Sequence, residues 1–275
     1  MTRSAATEPA AVQDPPYRGA DGAVESRSED GRRVSEADYW AAYYHAADIC
    51  YEWNDGRLEE KSVSSWETIA VYKWLMGLLE HFLNVHPIAD WVVLEMGFRL
   101  ALTDKTVIRR PDLGVVRRDN PTPLRPEMAS YPGVFDLCIE ALSDLRPEDI
   151  RRDTVTKRGE YARGGVPEYY ILSHRGEHQA FYTLDVSGDA SGRYVPLPVT
   201  DGMVRSRVLP GFQFRQSDLI ARPNWERMRA DPVYAGFVLP GWTAAEQRAE
   251  AEAAARRRAE AELARLRAQI AAPKQ

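Results

Sequence analysis

Only two cysteines, Cys50 and Cys138, occur in 275 residues. That excludes a disulfide-stapled scaffold and a cysteine zinc centre. Cys138 falls in an apolar run, where a reduced, buried thiol is expected. The five histidines show no metal-ligand spacing. No apolar run nears the ~18 residues of a membrane span. Met1 to Gly31 holds no apolar stretch of the signal-peptide kind, so a cytoplasmic location is expected. A basic excess is missing too. The net charge is −5, without the footprint of a strongly nucleic-acid-binding domain. Lysine is scarce: of 36 Lys and Arg residues, only Lys61, Lys73, Lys105, Lys157 and Lys274 are lysines.

What is present reads as one globular domain with appendages. Residues 1–32 carry Ala, Gly, Pro, Ser and charge without periodicity and are expected to be a disordered tail. Ser35 to Asp38 resembles a capping box before a short helix, Tyr39 to Ala47. Tyr51 to Glu59 reads as a hairpin turned at Asp55-Gly56. Ser64 and Glu67 form a second capping-box pattern, opening a long helix over Trp66 to Leu83 whose wide apolar stripe calls for a sheet beneath it. Strands are predicted over Trp91–Leu94, Phe98–Leu100, Leu113–Val116, Phe135–Leu142, Glu168–Leu172, Ala180–Leu184, Tyr194–Leu197 and Phe212–Phe214. The hairpin between Ala180 and Leu197 turns across Ser187-Gly188-Asp189. A helix over Asp153 to Arg163, with Asp153 as N-cap, stops at Gly164-Gly165. These elements give an α+β domain over 33–225, a mixed sheet flanked by helices. Residues 226–275 read as a linker and a C-terminal Ala/Glu/Arg-rich helix from Thr243, with a weak coiled-coil seam at Leu263, Leu266 and Ile270. Shortening the chain to about Ala230 is expected to leave its melting temperature within a few degrees.

Three residues carry the chemistry. Asp112 stands just before the run Leu113–Val116. Glu140 lies midway along an apolar strand, on the face of Asp136 and Cys138, where an acid is costly unless paired or metal-bound. Lys157 follows on a helix. Two acids on adjacent strands plus a lysine are what a divalent metal and an attacked phosphodiester require: hard oxygen ligands, and a compact cation to orient water. The region around them, 105–163, holds 12 Lys and Arg against 10 Asp and Glu and is the least acidic part of the chain. Each residue also has a plain alternative. Asp112 can simply open a strand, Lys157 can be a solvated helix lysine, and Glu67 can be only the capping acid for Ser64.

With these residues placed, the chain resembles the Uma-type restriction endonuclease family of the PD-(D/E)XK nuclease superfamily. The matching pieces are Tyr51-Glu52-Trp53-Asn54-Asp55-Gly56, Arg110-Pro111-Asp112 and Glu140-Ala141-Leu142-Ser143. They continue with Arg152-Asp153, Lys157, Tyr161-Ala162-Arg163, Gly165-Val166 and Leu209-Pro210-Gly211-Phe212. The resemblance covers about 33–225. It implies a restriction-endonuclease-like sheet flanked by helices, with Asp112 and Glu140 as metal ligands. The superfamily's usual lysine, two residues after the acid, would fall at Leu142; Lys157 takes its place from the following helix. Members often have a histidine where this chain has Glu67, a departure; an acid on that helix is a common extra metal-site residue elsewhere in the superfamily, which adds Glu67 as a candidate metal residue.

The expectation is therefore a Mg²⁺-dependent endodeoxyribonuclease, with Mn²⁺ as a substitute. Asp112 and Glu140 hold the metal, and Lys157 orients the water or stabilises the transition state. Tyr161 braces the lysine stem, and Lys157→Ala costs rate with little stability. Arg109, Arg110, Arg151, Arg152 and Arg158 are candidates to hold the DNA backbone. A homodimer is the expected assembly for cutting two strands. The rival is a non-catalytic, nuclease-like binding module acting through its helical tail. A metal-free two-carboxylate hydrolase leaves Lys157 unexplained.

Overall fold

The computed structural model describes residues 28–46, 48–143, 146–185, 187 and 192–271. Residues 1–27 of the expected tail, most of the Ser187-Gly188-Asp189 turn and Lys274 lie outside the described residues. Residues 28–32 are not tail. Gly31 N–H donates to Leu58 O at 2.9 Å, and Leu58 N–H donates to Arg32 O at 2.9 Å.

In chain order, α1 (Glu36–Asp38) runs into a π-helical turn, Tyr39–Tyr43. The hairpin β1 (Tyr51–Asn54) and β2 (Arg57–Glu60) follows, then α2 (Trp66–Val85), β3 (Ala89–Val92), β4 (Phe98–Ala101) and β5 (Thr106–Arg109). Next come β6 (Leu113–Arg117), β7 (Leu137–Ala141), α3 (Pro147–Arg151), a second π-helical turn (Arg152–Lys157) and α4 (Arg158–Arg163). The chain continues through β8 (Glu168–Leu172), β9 (Ala180–Asp185), β10 (Arg193–Pro196), β11 (Met203–Arg205) and β12 (Gln213–Arg215). It ends with α5 (Asp218–Ala221), α6 (Trp225–Met228) and α7 (Pro240–Ala271). The fold is α+β, with a mixed sheet flanked by helices, as expected, joined by two wholly antiparallel sheets. Among the described residues no helix is long and apolar enough to cross a membrane.

The hairpin turn is where Asp55-Gly56 predicts it. Both residues have positive φ, 46° and 89°, the geometry that matches strand twist in a two-residue turn. β2-β1-β5-β4 form one antiparallel sheet. The second has the order β10-β9-β8-β7-β6-β3 and is antiparallel except for the parallel β7–β8 pair. β5 and β11 were not foreseen. β11 pairs with β12, so the last strand is half of a two-stranded ribbon.

Helix α2 starts one residue differently from the capping-box pattern. Ser65, not Ser64, accepts from Thr68 N–H. Val71, Leu75, Leu78 and Phe82 on α2 cover one face of the larger sheet, against Leu113, Val115, Leu137 and Ile139. Met228, Tyr234, Phe237 and Val238, from the stretch read as linker, are buried in this same core. The opposite face packs Cys138 and Ile171 against Phe98 and Tyr161. Both faces of β7 are thus covered, which is why Glu140 is buried with Cys138 rather than solvated. Helix α7 stands apart: Leu263 and Leu266 are 48% and 46% exposed.

Candidate active site

Asp112 and Glu140 come together through strand register. β6 and β7 are antiparallel, with Leu113 opposite Ile139. One step further puts Asp112 across from Glu140, where side chains share a face. Asp112 is fixed at that step from both sides. The Ala141 amide donates to its Oδ2 at 2.6 Å, and Tyr72 Oη on α2 donates to its carbonyl oxygen at 2.9 Å. Pro111 keeps Arg110 extended, and the Arg110 amide donates to Glu52 Oε1 at 2.8 Å.

Lys157 reaches Glu140, with Nζ 3.1 Å from Oε1. The same ammonium lies 3.3 Å from Glu52 Oε1 and 3.3 Å from Asp153 Oδ1. It is not a solvated lysine; it is 2% exposed. Burial alone would drive it toward neutrality, but the carboxylates of Glu140, Glu52 and Asp153 outweigh burial and hold it charged, well above the ordinary lysine value. Glu140 is pushed toward its neutral form. Burial and the neighbouring Asp112 raise its carboxyl to about 8, although Lys157 and Lys61 pull it down. Burial also opposes ionisation of Glu52, but Lys157, Arg109 and Lys61 reverse the balance and hold it at about 2.

The helix that carries Lys157 begins earlier than expected, at Pro147, with proline at its first position. Asp153 is therefore not an N-cap; it lies inside the helix and pairs with Lys157 one turn on. The buried residues Asp149, Asp153, Lys157 and Tyr161 recur at intervals of four. In a straight α-helix each step of four drifts by ~40°. The wider π-helical turn at Arg152–Lys157 takes up that drift and keeps the row facing the sheet. The Tyr161 hydroxyl donates to Glu140 Oε1 at 2.8 Å, which ties the ring to the acid that Lys157 pairs with. The stop at Gly164-Gly165 holds, with Gly165 at φ 83° and Val166 N–H donating to Tyr161 O at 3.0 Å.

Several residues of the site were not anticipated. Lys61 donates from Nζ to Arg110 O at 2.6 Å and to Asp112 Oδ1 at 2.8 Å, with Glu95 Oε1 at 3.5 Å. Burial works against its charge, but Asp112 and Glu140 outweigh it and hold the ammonium above its ordinary value. Ser64 Oγ donates to the Ala141 carbonyl at 2.6 Å. Arg109 is fully buried, bridging Glu52 at 3.0 Å and Glu160 at 2.6 Å, and also bonding Glu59. It therefore forms no part of a DNA-facing surface. Arg152 donates to Glu60 O at 2.7 Å, and Arg158 lies over the Tyr182 ring. Glu67 is exposed on the first turn of α2 and lines neither cavity at the site. Asp136 only borders its strand, accepting from Arg117 N–H and Asn120 Nδ2, each at 2.8 Å.

Two hollows meet here. A small recess is lined by four acids (Asp112, Glu140, Asp149, Asp153), three bases (Lys61, Arg152, Lys157), Ser62, Ser143 and the Ala141 backbone. An open cleft of about 600 Å³ adjoins it, sharing Lys61, Ser62, Asp112 and Ala141. Among the described residues no three His, Cys, Asp or Glu side chains form a metal cage. The donors nevertheless fit a magnesium-type ion, which takes one or two carboxylates and keeps several waters. Asp112, Glu140 and the Ala141 carbonyl are hard oxygen donors lining one recess.

No curated protein matches the chain. Among solved structures, a putative nuclease belonging to DUF820 from Anabaena variabilis shares 12% identity and superposes with a TM-score of 0.48. That match covers 64% of this chain and 92% of that one. The Uma2 family, described as "Putative restriction endonuclease", matches residues 37–219, most of the folded part. The chain belongs to the Uma2 restriction endonuclease family.

Proposed function

We propose that this protein is a metal-dependent endonuclease that hydrolyses DNA phosphodiesters at the recess between Asp112 and Glu140. The observation that carries the reading is the register of β6 and β7, which sets two carboxylates opposite each other with a buried lysine behind one of them. Asp112, Glu140 and the Ala141 carbonyl hold Mg²⁺ or Mn²⁺. When bound, the ion supplies charge neutralisation and a water of lowered pKa. Lys157, in the wall of the recess, orients the attacking water or steadies charge on the phosphate. Its three carboxylate partners fix Nζ in place and keep it ionised. Glu52 acts through Lys157 and Arg109, as a positioning residue. A homodimer, one site for each strand, is the assembly that goes with cutting duplex DNA in the cytoplasm.

The second reading is a binding module that has lost turnover and acts through α7. One observation favours it: Lys61 already pairs with Asp112 where a metal would bind. Cleavage of plasmid and short DNA substrates in Mg²⁺, Mn²⁺ or EDTA separates the two. Metal-dependent cutting is expected, with Asp112→Asn and Glu140→Gln each slowing it by on the order of 10²-fold. Wild-type rates in either variant would overturn the assigned residues. Manganese affinity measured by calorimetry, unchanged in both variants, would favour the binding module.

A further inference from the structure

The open cleft beside the recess has walls that the hydrolytic chemistry does not use. Ile69, Tyr72 and Met76 of α2 form one side, apolar apart from the Tyr72 hydroxyl. The other side is the turn at Leu94-Glu95. Both residues sit in the left-handed backbone region, at φ 57° and 60°, which residues with side chains rarely adopt. Such outliers persist where the surroundings impose them, and they cluster at ligand sites. Here the turn has two consequences. Leu94 projects from the rim, 90% exposed. Glu95 turns inward, its carboxylate accepting from the Cys50 thiol and lying 3.5 Å from Lys61 Nζ.

Resting on the nuclease reading, we propose that this cleft is a subsite for one unstacked nucleotide of the DNA strand, whose phosphate lies at the Asp112 recess. The cleft's volume, about 600 Å³, lies within the ~300–1,000 Å³ of small-ligand sites. It shares Asp112 and Lys61 with the recess, so a strand whose phosphate enters the recess has its neighbouring base at the cleft mouth. The Glu95 carboxylate in the cleft lining disfavours a phosphate there. An aromatic and apolar wall suits a base, which stacks on such surfaces irrespective of sequence. Glu95 offers a carboxylate acceptor, to which the exocyclic amino group of cytosine, adenine or guanine can donate; an unpaired thymine offers only its N3–H, flanked by two carbonyl oxygens that the carboxylate repels. Leu94 at the rim is placed to fill the stack that the base leaves, as apolar wedges do in other DNA-bending proteins. Unpaired or locally opened duplex DNA with amino-bearing bases is the substrate class that follows.

The test is binding, scored apart from cleavage. Fluorescence anisotropy compares short oligodeoxycytidine, oligothymidine and a fully paired duplex on the full-length protein in Ca²⁺. Oligodeoxycytidine is expected to bind about tenfold more tightly than oligothymidine, and more tightly than the duplex. Met76→Trp fills the cleft and should bring oligodeoxycytidine down to the level of oligothymidine. Glu95→Ala should erase the base preference without filling anything, and it carries the test alone if the tryptophan variant does not fold. Equal affinities for the three DNAs, no binding of oligodeoxycytidine, or a preference that survives both variants overturns the proposal. Base-selective binding without cleavage in any metal would leave the subsite standing and remove the nuclease reading. Cleavage that ignores both variants would do the reverse.

Discussion

The Lys61 ammonium lies 2.8 Å from Oδ1 of Asp112 and 2.6 Å from the Arg110 carbonyl oxygen. A lysine thus already satisfies one of the two acids at the recess. Replacing it with methionine removes the charge and keeps most of the stem. Lys61→Met should lower the unfolding free energy by about 1–3 kcal/mol, the cost of leaving a partly buried carboxylate unpaired. Divalent metal should return part of that loss, so Mn²⁺ should raise the variant's melting temperature more than that of wild type. Equal Mn²⁺ shifts in the two proteins would show that lysine and metal do not compete for Asp112.

The ion pairs of Lys157 point to a cost in stability as well as in rate when it is lost. Its ammonium is the shared partner of Glu52, Glu140 and Asp153. Lys157→Ala should destabilise the fold by about 3–5 kcal/mol, the cost of stranding buried charge. Adding Glu140→Gln to Lys157→Met should recover part of the loss, which a double-mutant cycle in urea measures. Strict additivity of the two changes would argue against their coupling.

The pH dependence has a definite sign. Glu140 titrates near 8 in the folded protein against an ordinary 4.5, so the native state holds a proton that the unfolded chain releases between those values. Unfolding free energy from this group falls as pH rises across that window. Asp153, raised by burial, contributes in the same direction. Glu52, held at about 2, does the opposite: its contribution is present above 4.5 and is lost as pH falls toward 2. Glu140→Gln should flatten the decline between about pH 4.5 and 8. Urea melts at a series of pH values check this; an unchanged slope would mean that Glu140 is ionised in the native state throughout.

The chain's C-terminal part divides at a different place from the one its composition indicates. Tyr234, Phe237 and Val238 are buried against α2 and the sheet. Ending the chain near Ala230 removes all three, at roughly 1.5–3 kcal/mol for each such side chain. That should lower the melting temperature by many degrees or prevent folding. Ending after Gln247 removes helix that is exposed over 248–267 apart from half-buried Ala254, and should leave it nearly unchanged. Scanning calorimetry on both shortened chains distinguishes these outcomes.

The legible parts were those written in local pattern. The stripe of α2, the Asp55-Gly56 turn and the apolar runs of β6, β7 and β8 needed no distant partner to be read. Asp112 and Glu140 stood out because acids at the edge or middle of apolar strands need a reason. Glu52 did not. Alternation between Tyr51 and Trp53 sends it to the opposite face, ordinarily the wet one, and here that face is filled by Arg109 and Lys157. Lys61 is legible only once β2 is known to end beside Asp112, a contact spanning 51 positions. Arg109 resembles any arginine at a strand end until its burial is seen.

The π-helical turn at Arg152–Lys157 accommodates one residue more than an ordinary helix would hold there. Removing a single residue from it would let the backbone relax into ordinary helix with the buried row almost intact, because the eleven steps then separating Asp149 from Tyr161 come to within ~20° of three full turns. Adding a residue, by contrast, would swing Asp149 and Asp153 by ~100° away from Lys157 and Tyr161, though every side chain survived. Within this turn, homologues should therefore lose one residue more readily than they gain one.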